Sequence, residues 1–181
     1  MKDKKAFIIL AAGLVLLLLG ASSLYTQLTK NINAPDQLAT QATDPTAETL
    51  QVAPDFTVYD GKGNPVKLSS FFGKPIVLNF WASWCGPCQS EMPDFQEKYQ
   101  ELGDEVQFFI INMTDGQRET QAIAEAFLAQ KGYTFPVYFD LDSDAAMTYS
   151  VYSLPTTYFI DAQGNLTAQA TGALDAATLQ Q

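Results

Sequence analysis

The segment Pro75 to Ala82 is an almost continuous apolar run, and the sequence Cys85-Gly86-Pro87-Cys88 begins three residues after it. A run of this length, entered through Gly73-Lys74, is the pattern of a strand buried on both faces. Such a strand demands a sheet covered on both sides, which places the chain in the α/β class. Residues 86–102 read as the helix that follows, with Pro93 expected to kink it by deleting one backbone hydrogen bond. The two cysteines therefore fall on the first turn of a helix at the end of a buried strand. Side chains three residues apart are neighbours there, and their Cβ atoms come close enough to bridge.

The remaining elements fit the same class. Asp55 to Tyr59 and Val66 to Leu68 flank the turn cluster Asp60 to Asn64 and predict a small hairpin. Val106 to Asn112 predicts a second buried strand. Gln117 to Lys131 reads as a helix with an apolar Ile123, Ala126, Phe127 spacing and Gly132 as its stop, and Pro136 to Asp140 as a third strand. A short helix over 144–150, strands over 156–160 and 166–171 around the turn 161–165, and a helical stub complete the order. The reading is a central mixed sheet flanked by helices, with an N-terminal hairpin.

Composition removes most other chemistry. The chain has no histidine, which excludes a His-bearing catalytic dyad and a histidine metal ligand. With only two cysteines, three residues apart, neither a disulfide framework nor a four-cysteine zinc site can form, and no metal is expected. Beyond residue 25, seven Lys and Arg stand against nineteen Asp and Glu, a formal charge of −12. That surface repels phosphate backbones and argues against nucleic-acid partners.

Lys2, Lys4 and Lys5 precede an apolar run from Ala6 to Ala21, which reads as a membrane-targeting segment over residues 1–25. The length of the run favours a retained anchor, and the lysines orient it so that the remainder lies outside the cytoplasm. Gly20, Ala21 and Ser22 would also permit cleavage and secretion. Residues 26–52, rich in Thr, Gln, Ala, Asp and Pro, read as a spacer, leaving 53–181 as the folded domain.

A disulfide closing so small a loop constrains little unfolded-chain entropy, so reversible redox use explains the pair better than stapling does. At the helix N-terminus, unpaired N–H groups and the helix dipole stabilise a thiolate on Cys85, the candidate nucleophile. Cys88, deeper and of higher pKa, attacks second and releases the mixed disulfide. Gly86 allows close approach of a substrate backbone, and Pro87 sits where a missing N–H costs nothing. Trp84 is expected to shield the thiolate and offer a flat apolar contact to substrate, while Trp81 reads as core. Glu91, three residues after Cys88, returns to the same helix face as a candidate acid-base group with a raised pKa.

Phe80-Trp81-Ala82-Ser83-Trp84-Cys85-Gly86-Pro87-Cys88 resembles the active-site signature of thioredoxins. Ala53-Pro54-Asp55-Phe56, Gly73 to Phe80, Glu91-Met92-Pro93 and Leu154 to Asp161 extend that resemblance, over about residues 53–172, to the membrane-anchored TlpA/ResA-like branch. It implies a thioredoxin-like fold with a strand and helix inserted centrally, within Val106 to Asp140. It also implies a cis Pro155 facing the cysteines, Leu154 offering backbone hydrogen bonds to an extended substrate, and an active-site glutamate at Glu91. Where thioredoxins bury an aspartate this chain has Asn79, which cannot titrate.

The function expected is reduction of disulfides in extracytoplasmic proteins by Cys85 and Cys88, by a monomer that needs no cofactor beyond that pair. A membrane thiol carrier would re-reduce it. Two alternatives accompany this. One is a thiol peroxidase, suggested by the Ala-Pro-Asp-Phe opening but lacking the hydroxyl residue three positions before the cysteine, where Ala82 stands, with Arg118 the sole arginine. The other is a noncatalytic binding module that keeps the fold.

Overall fold

The computed structural model describes residues 51–180. The expected anchor over 1–25 and most of the expected spacer lie outside these residues. Among the described residues no helix is long and apolar enough to cross a membrane.

The strands are β1 (Thr57–Tyr59), β2 (Pro65–Lys67), β3 (Ile76–Trp81), β4 (Gln107–Asn112), β5 (Val137–Phe139), β6 (Thr156–Ile160) and β7 (Leu166–Thr171). They form one sheet in the order β2-β1-β5-β4-β3-β6-β7. β3 pairs in parallel with β4, and β4 with β5, while β3–β6, β6–β7, β1–β2 and β1–β5 are antiparallel. Helix α1 (Gly86–Leu102) makes the crossover from β3 to β4, and α2 (Gln121–Lys131) that from β4 to β5. A short α3 (Asp144–Thr148) precedes β6. This is the mixed α/β architecture expected, with β4, α2 and β5 in the segment assigned to the insertion.

All six residues of β3 are buried because the strand has a packed layer on each side. Ile76, Leu78 and Phe80 enter the core cluster that holds Phe56, Phe109 and Tyr158. Val77 and Trp81 point the other way, into the cluster of α1 that contains Cys85, Cys88, Met92 and Phe95. Strand alternation puts Asn79 on this second side. The β1–β2 turn is fixed by Asp60, whose Oδ1 accepts the N–H groups of Lys62 and Asn64, and by Gly63 at φ +79°.

Two expectations need correction. α2 starts at Gln121, four residues later than expected, because Asp115 Oδ1 accepts the N–H groups of Gln117 and Glu119 and holds 115–119 in a turn. Thr120 then caps the helix, its Oγ1 accepting from the N–H of Ile123. The buried stripe of α2 is Ala124, with Phe127 and Leu128 packed beside it, whereas Ile123 is 43% exposed. Gly132 does stop the helix, at φ +72°. Helix α1 continues through Pro93, and the final stub is a single 3-10 turn, Thr178–Gln180.

Phe109 stacks on Tyr138 at 4.3 Å and meets Phe71 and Phe56 edge-on at 4.9 and 6.0 Å. Phe109→Ala should therefore cost about 3–5 kcal/mol, read as a lower denaturant midpoint with an unchanged slope. A cost under about 1 kcal/mol would show that this aromatic cluster does not carry the core.

Candidate active site

β3 and β4 run in parallel and end together at Trp81 and Asn112, so the loops that follow them lie side by side at one edge of the sheet. Sites in open α/β sheets form at such strand ends. The first loop carries the cysteines. Cys85 is the N-cap of α1, with extended φ and ψ of −82° and 109°, and its Sγ accepts the N–H of Cys88 at 3.2 Å. Gly86 and Pro87 form the start of the helix, where Pro87 displaces no intrahelical bond. Cys85 and Cys88 are joined as a disulfide with Cα atoms 5.2 Å apart, and both are buried.

Glu91 lies one turn beyond Cys88 and is 1% exposed. Its Oε2 accepts the backbone N–H of Leu174 at 3.0 Å, and its Oε1 accepts from Asn79 Nδ2 at 2.9 Å. Asn79 Nδ2 also reaches Thr157 Oγ1 at 3.0 Å. Burial raises the Glu91 pKa from an ordinary 4.5 to about 7, against the opposing pull of the Leu174 N–H and the Asn79 amide. The carboxamide suits both charge states: its NH₂ donates to the carboxylate, and turned about χ2 its oxygen accepts from the protonated acid.

The Leu154–Pro155 peptide bond is cis. Antiparallel pairing of Phe80 with Thr156 carries Pro155 to the end of the sheet where β3 meets the cysteine loop. Leu154 packs against both core clusters, one of which holds the cysteines, and among the described residues its backbone makes no hydrogen bond.

The second loop supplies what sequence reasoning missed. Glu119 is fully buried and joins the two loops: its Oε1 accepts from Ser83 N at 2.9 Å and Asn112 Nδ2 at 2.7 Å, and its Oε2 accepts from Ser83 Oγ at 2.6 Å. Next to it Arg118 sits over Trp84, its guanidinium carbon 3.7 Å from the ring centre. Trp84 is 42% exposed, but it does not present a bare apolar face, because that guanidinium covers part of it. Trp81 is wholly buried, as expected of core. Arg118 being the sole arginine was the one signal available for this arrangement; the Glu119 bonds cross 36 positions to Ser83 and leave no periodic trace.

A dithiol-disulfide pair capping a helix above a buried carboxylate agrees with the comparisons. Residues 49–169 match the AhpC/TSA family. The thiol-disulfide oxidoreductase ResA of Geobacillus kaustophilus is 37% identical over 123 residues, 67% of this chain and 68% of that protein. The chain belongs to the ResA-like thiol-disulfide oxidoreductases of the AhpC/TSA family. The thioredoxin-like fold also appears among similar solved structures. A DsbE-type thiol:disulfide interchange protein from Chlorobium tepidum matches at TM-score 0.64 and 31% identity, over 75% of this chain and 94% of that one. StoA from Bacillus subtilis matches at TM-score 0.62 and 26% identity, over 71% and 96%. The thioredoxin-like fold and the disulfide oxidoreductase activity expected from the sequence stand with these relatives.

A carboxyl whose folded pKa exceeds its unfolded value binds its proton more tightly in the folded protein. The resulting stability is present in full below about pH 4.5 and is lost as pH rises through about 7. Between pH 5 and pH 8 the oxidised protein should lose about 3 kcal/mol relative to its Glu91→Gln variant. The Glu91 carboxyl resonance should titrate near pH 7 in ¹³C NMR; a midpoint near 4.5 would remove Glu91 as a proton acceptor at neutral pH.

Proposed function

We propose that this chain is a membrane-tethered, extracytoplasmic reductase of protein disulfides that acts through Cys85 and Cys88. The observation that carries the reading is the sulfur of Cys85 at the N-cap of α1, bonded to Cys88 one turn below it. When the disulfide is reduced, the amide dipoles that met the Cys85 sulfur remain pointed at it and favour the thiolate over the thiol.

The exchange runs in two steps. The Cys85 thiolate attacks a client disulfide, forms a Cys85–client bond and expels one client sulfur as a thiolate, which takes a proton from solvent. Cys88 then gives its proton to the Glu91 carboxylate and attacks the Cys85 sulfur. The second client sulfur leaves, Cys85–Cys88 re-forms, and two electrons have passed to the client. Trp84, Gly86, Pro87 and the unpaired backbone of Leu154 beside Pro155 form the docking surface, where an extended client segment can hydrogen-bond. The Gly-Pro pair between the cysteines favours the reducing direction. A membrane dithiol carrier restores the reduced state, and the monomer suffices for both half-reactions.

Placement outside the cytoplasm rests on Lys2, Lys4 and Lys5 ahead of the apolar run Ala6 to Ala21. Solubility accounts for the −12 charge beyond residue 25, which argues against a polyanionic partner. A peroxidase reading has no support at position 82, where a buried alanine offers no hydroxyl to a peroxide.

In the full chain, Cys85→Ala should reduce the rate of insulin-disulfide reduction to the uncatalysed background. Cys88→Ala should retain the first step alone and accumulate mixed disulfides visible on non-reducing gels. A Cys85→Ala protein as active as the unmutated chain would end the assignment.

A further inference from the structure

Arg118 and Glu119 are consecutive residues that turn in opposite directions. Glu119 points inward, where Ser83 and Asn112 hold its carboxylate through three hydrogen bonds. Asp115 fixes the same backbone from outside through the N–H groups of Gln117 and Glu119. The position from which Arg118 extends is therefore set from both sides, and the guanidinium rests on Trp84, the residue bonded to Cys85. A loop closed in this way holds a cation on Trp84, the residue next to Cys85 in the chain.

That cation has no ion-pair partner among the described residues. Among the described residues no carboxylate lies within ion-pair distance of Arg118, and its side chain donates no hydrogen bond. Asp115 is the acid that feels its field, but its Oδ1 accepts backbone N–H groups and it makes no ion pair with the guanidinium. An indole against one side leaves the other guanidinium N–H donors facing solvent, in the fork that matches a carboxylate. Contact with the ring also limits the rotamers that would be lost when a ligand binds. Acids outnumber bases on the domain, so its net field opposes an acidic segment in general.

We propose that Arg118 is a specificity-determining residue: it takes the carboxylate of an Asp or Glu flanking the client's disulfide, while Trp84 supports the same segment. Clients with acid-flanked cysteines are then the preferred substrates. The inference rests on disulfide exchange at Cys85 and adds to it the chemical character of the client.

The test uses the full chain in detergent and two disulfide peptides that differ only in Glu or Gln next to one cysteine. At low ionic strength the Glu-to-Gln ratio of kcat/KM should be about three- to fivefold higher for the unmutated chain than for Arg118→Gln, the range of a favourable exposed ion pair. Arg118→Lys should fall between them, since an ammonium keeps the charge and loses the fork. Added salt should erase the difference. Lys62→Gln, the same charge change in the exposed β1–β2 turn, should keep the ratio of the unmutated chain. A ratio that Arg118→Gln leaves intact, or that Lys62→Gln lowers equally, overturns the proposal. Reduction of both peptides without preference would sink the role of Arg118 alone, whereas reduction of neither would sink the redox reading beneath it.

Discussion

The structure depends on what happens where β3 ends and α1 begins. A strand buried on both faces delivers the chain to a helix whose first cap is a sulfur, where Ser, Thr, Asp or Asn would ordinarily stand. The Cys85 sulfur accepts the Cys88 N–H, so the helix has its cap and the sulfur has the helix field in a single contact. A thiolate is a better acceptor for that N–H than a neutral thiol, and the local fold therefore favours the charged form of Cys85. Cys88 lies inside the first turn, so the two sulfurs share one site with different surroundings.

Beneath this turn the sheet uses one device twice. Asn79 on β3 and Asn112 on β4 both face the helical layer, and each amide donates to a buried glutamate, Glu91 and Glu119 respectively. The outcomes differ with the number and kind of donors. Glu119 receives three hydrogen bonds, two of them from Ser83 in the cysteine loop, which makes it a clasp between loops. Glu91 receives two, and desolvation outweighs them, which leaves its proton exchangeable near neutrality. Buried carboxylates are costly unless hydrogen-bonded or protonated. Glu91, whose pKa burial raises to about 7, is on the helix of the cysteines.

Much of this was legible in the sequence, because it rests on patterns that are local. The apolar run of β3, the Cys-Gly-Pro-Cys at its end, the turn at Asp60 to Asn64 and the stop at Gly132 each follow from neighbouring residues. Glu91 was reachable from helical spacing, and Leu154-Pro155 from family resemblance. The clasp was not, since Ser83, Asn112 and Glu119 come together only after β3 and β4 pair. The start of α2 failed for the same reason: Gln117 to Glu119 read as helix, but Asp115 and the buried Glu119 hold them in a turn. Ile123, which would anchor an apolar stripe in a helix starting at 117, instead faces solvent.

The central claim is that Cys85 is held as a thiolate by its place at the helix N-terminus. The direct measurement is the pH dependence of the alkylation rate of Cys85 in the reduced protein, resolved by peptide mass from that of Cys88. The midpoint should lie at least about one unit below the ordinary cysteine value of about 8.5. A midpoint at or above that ordinary value would contradict it.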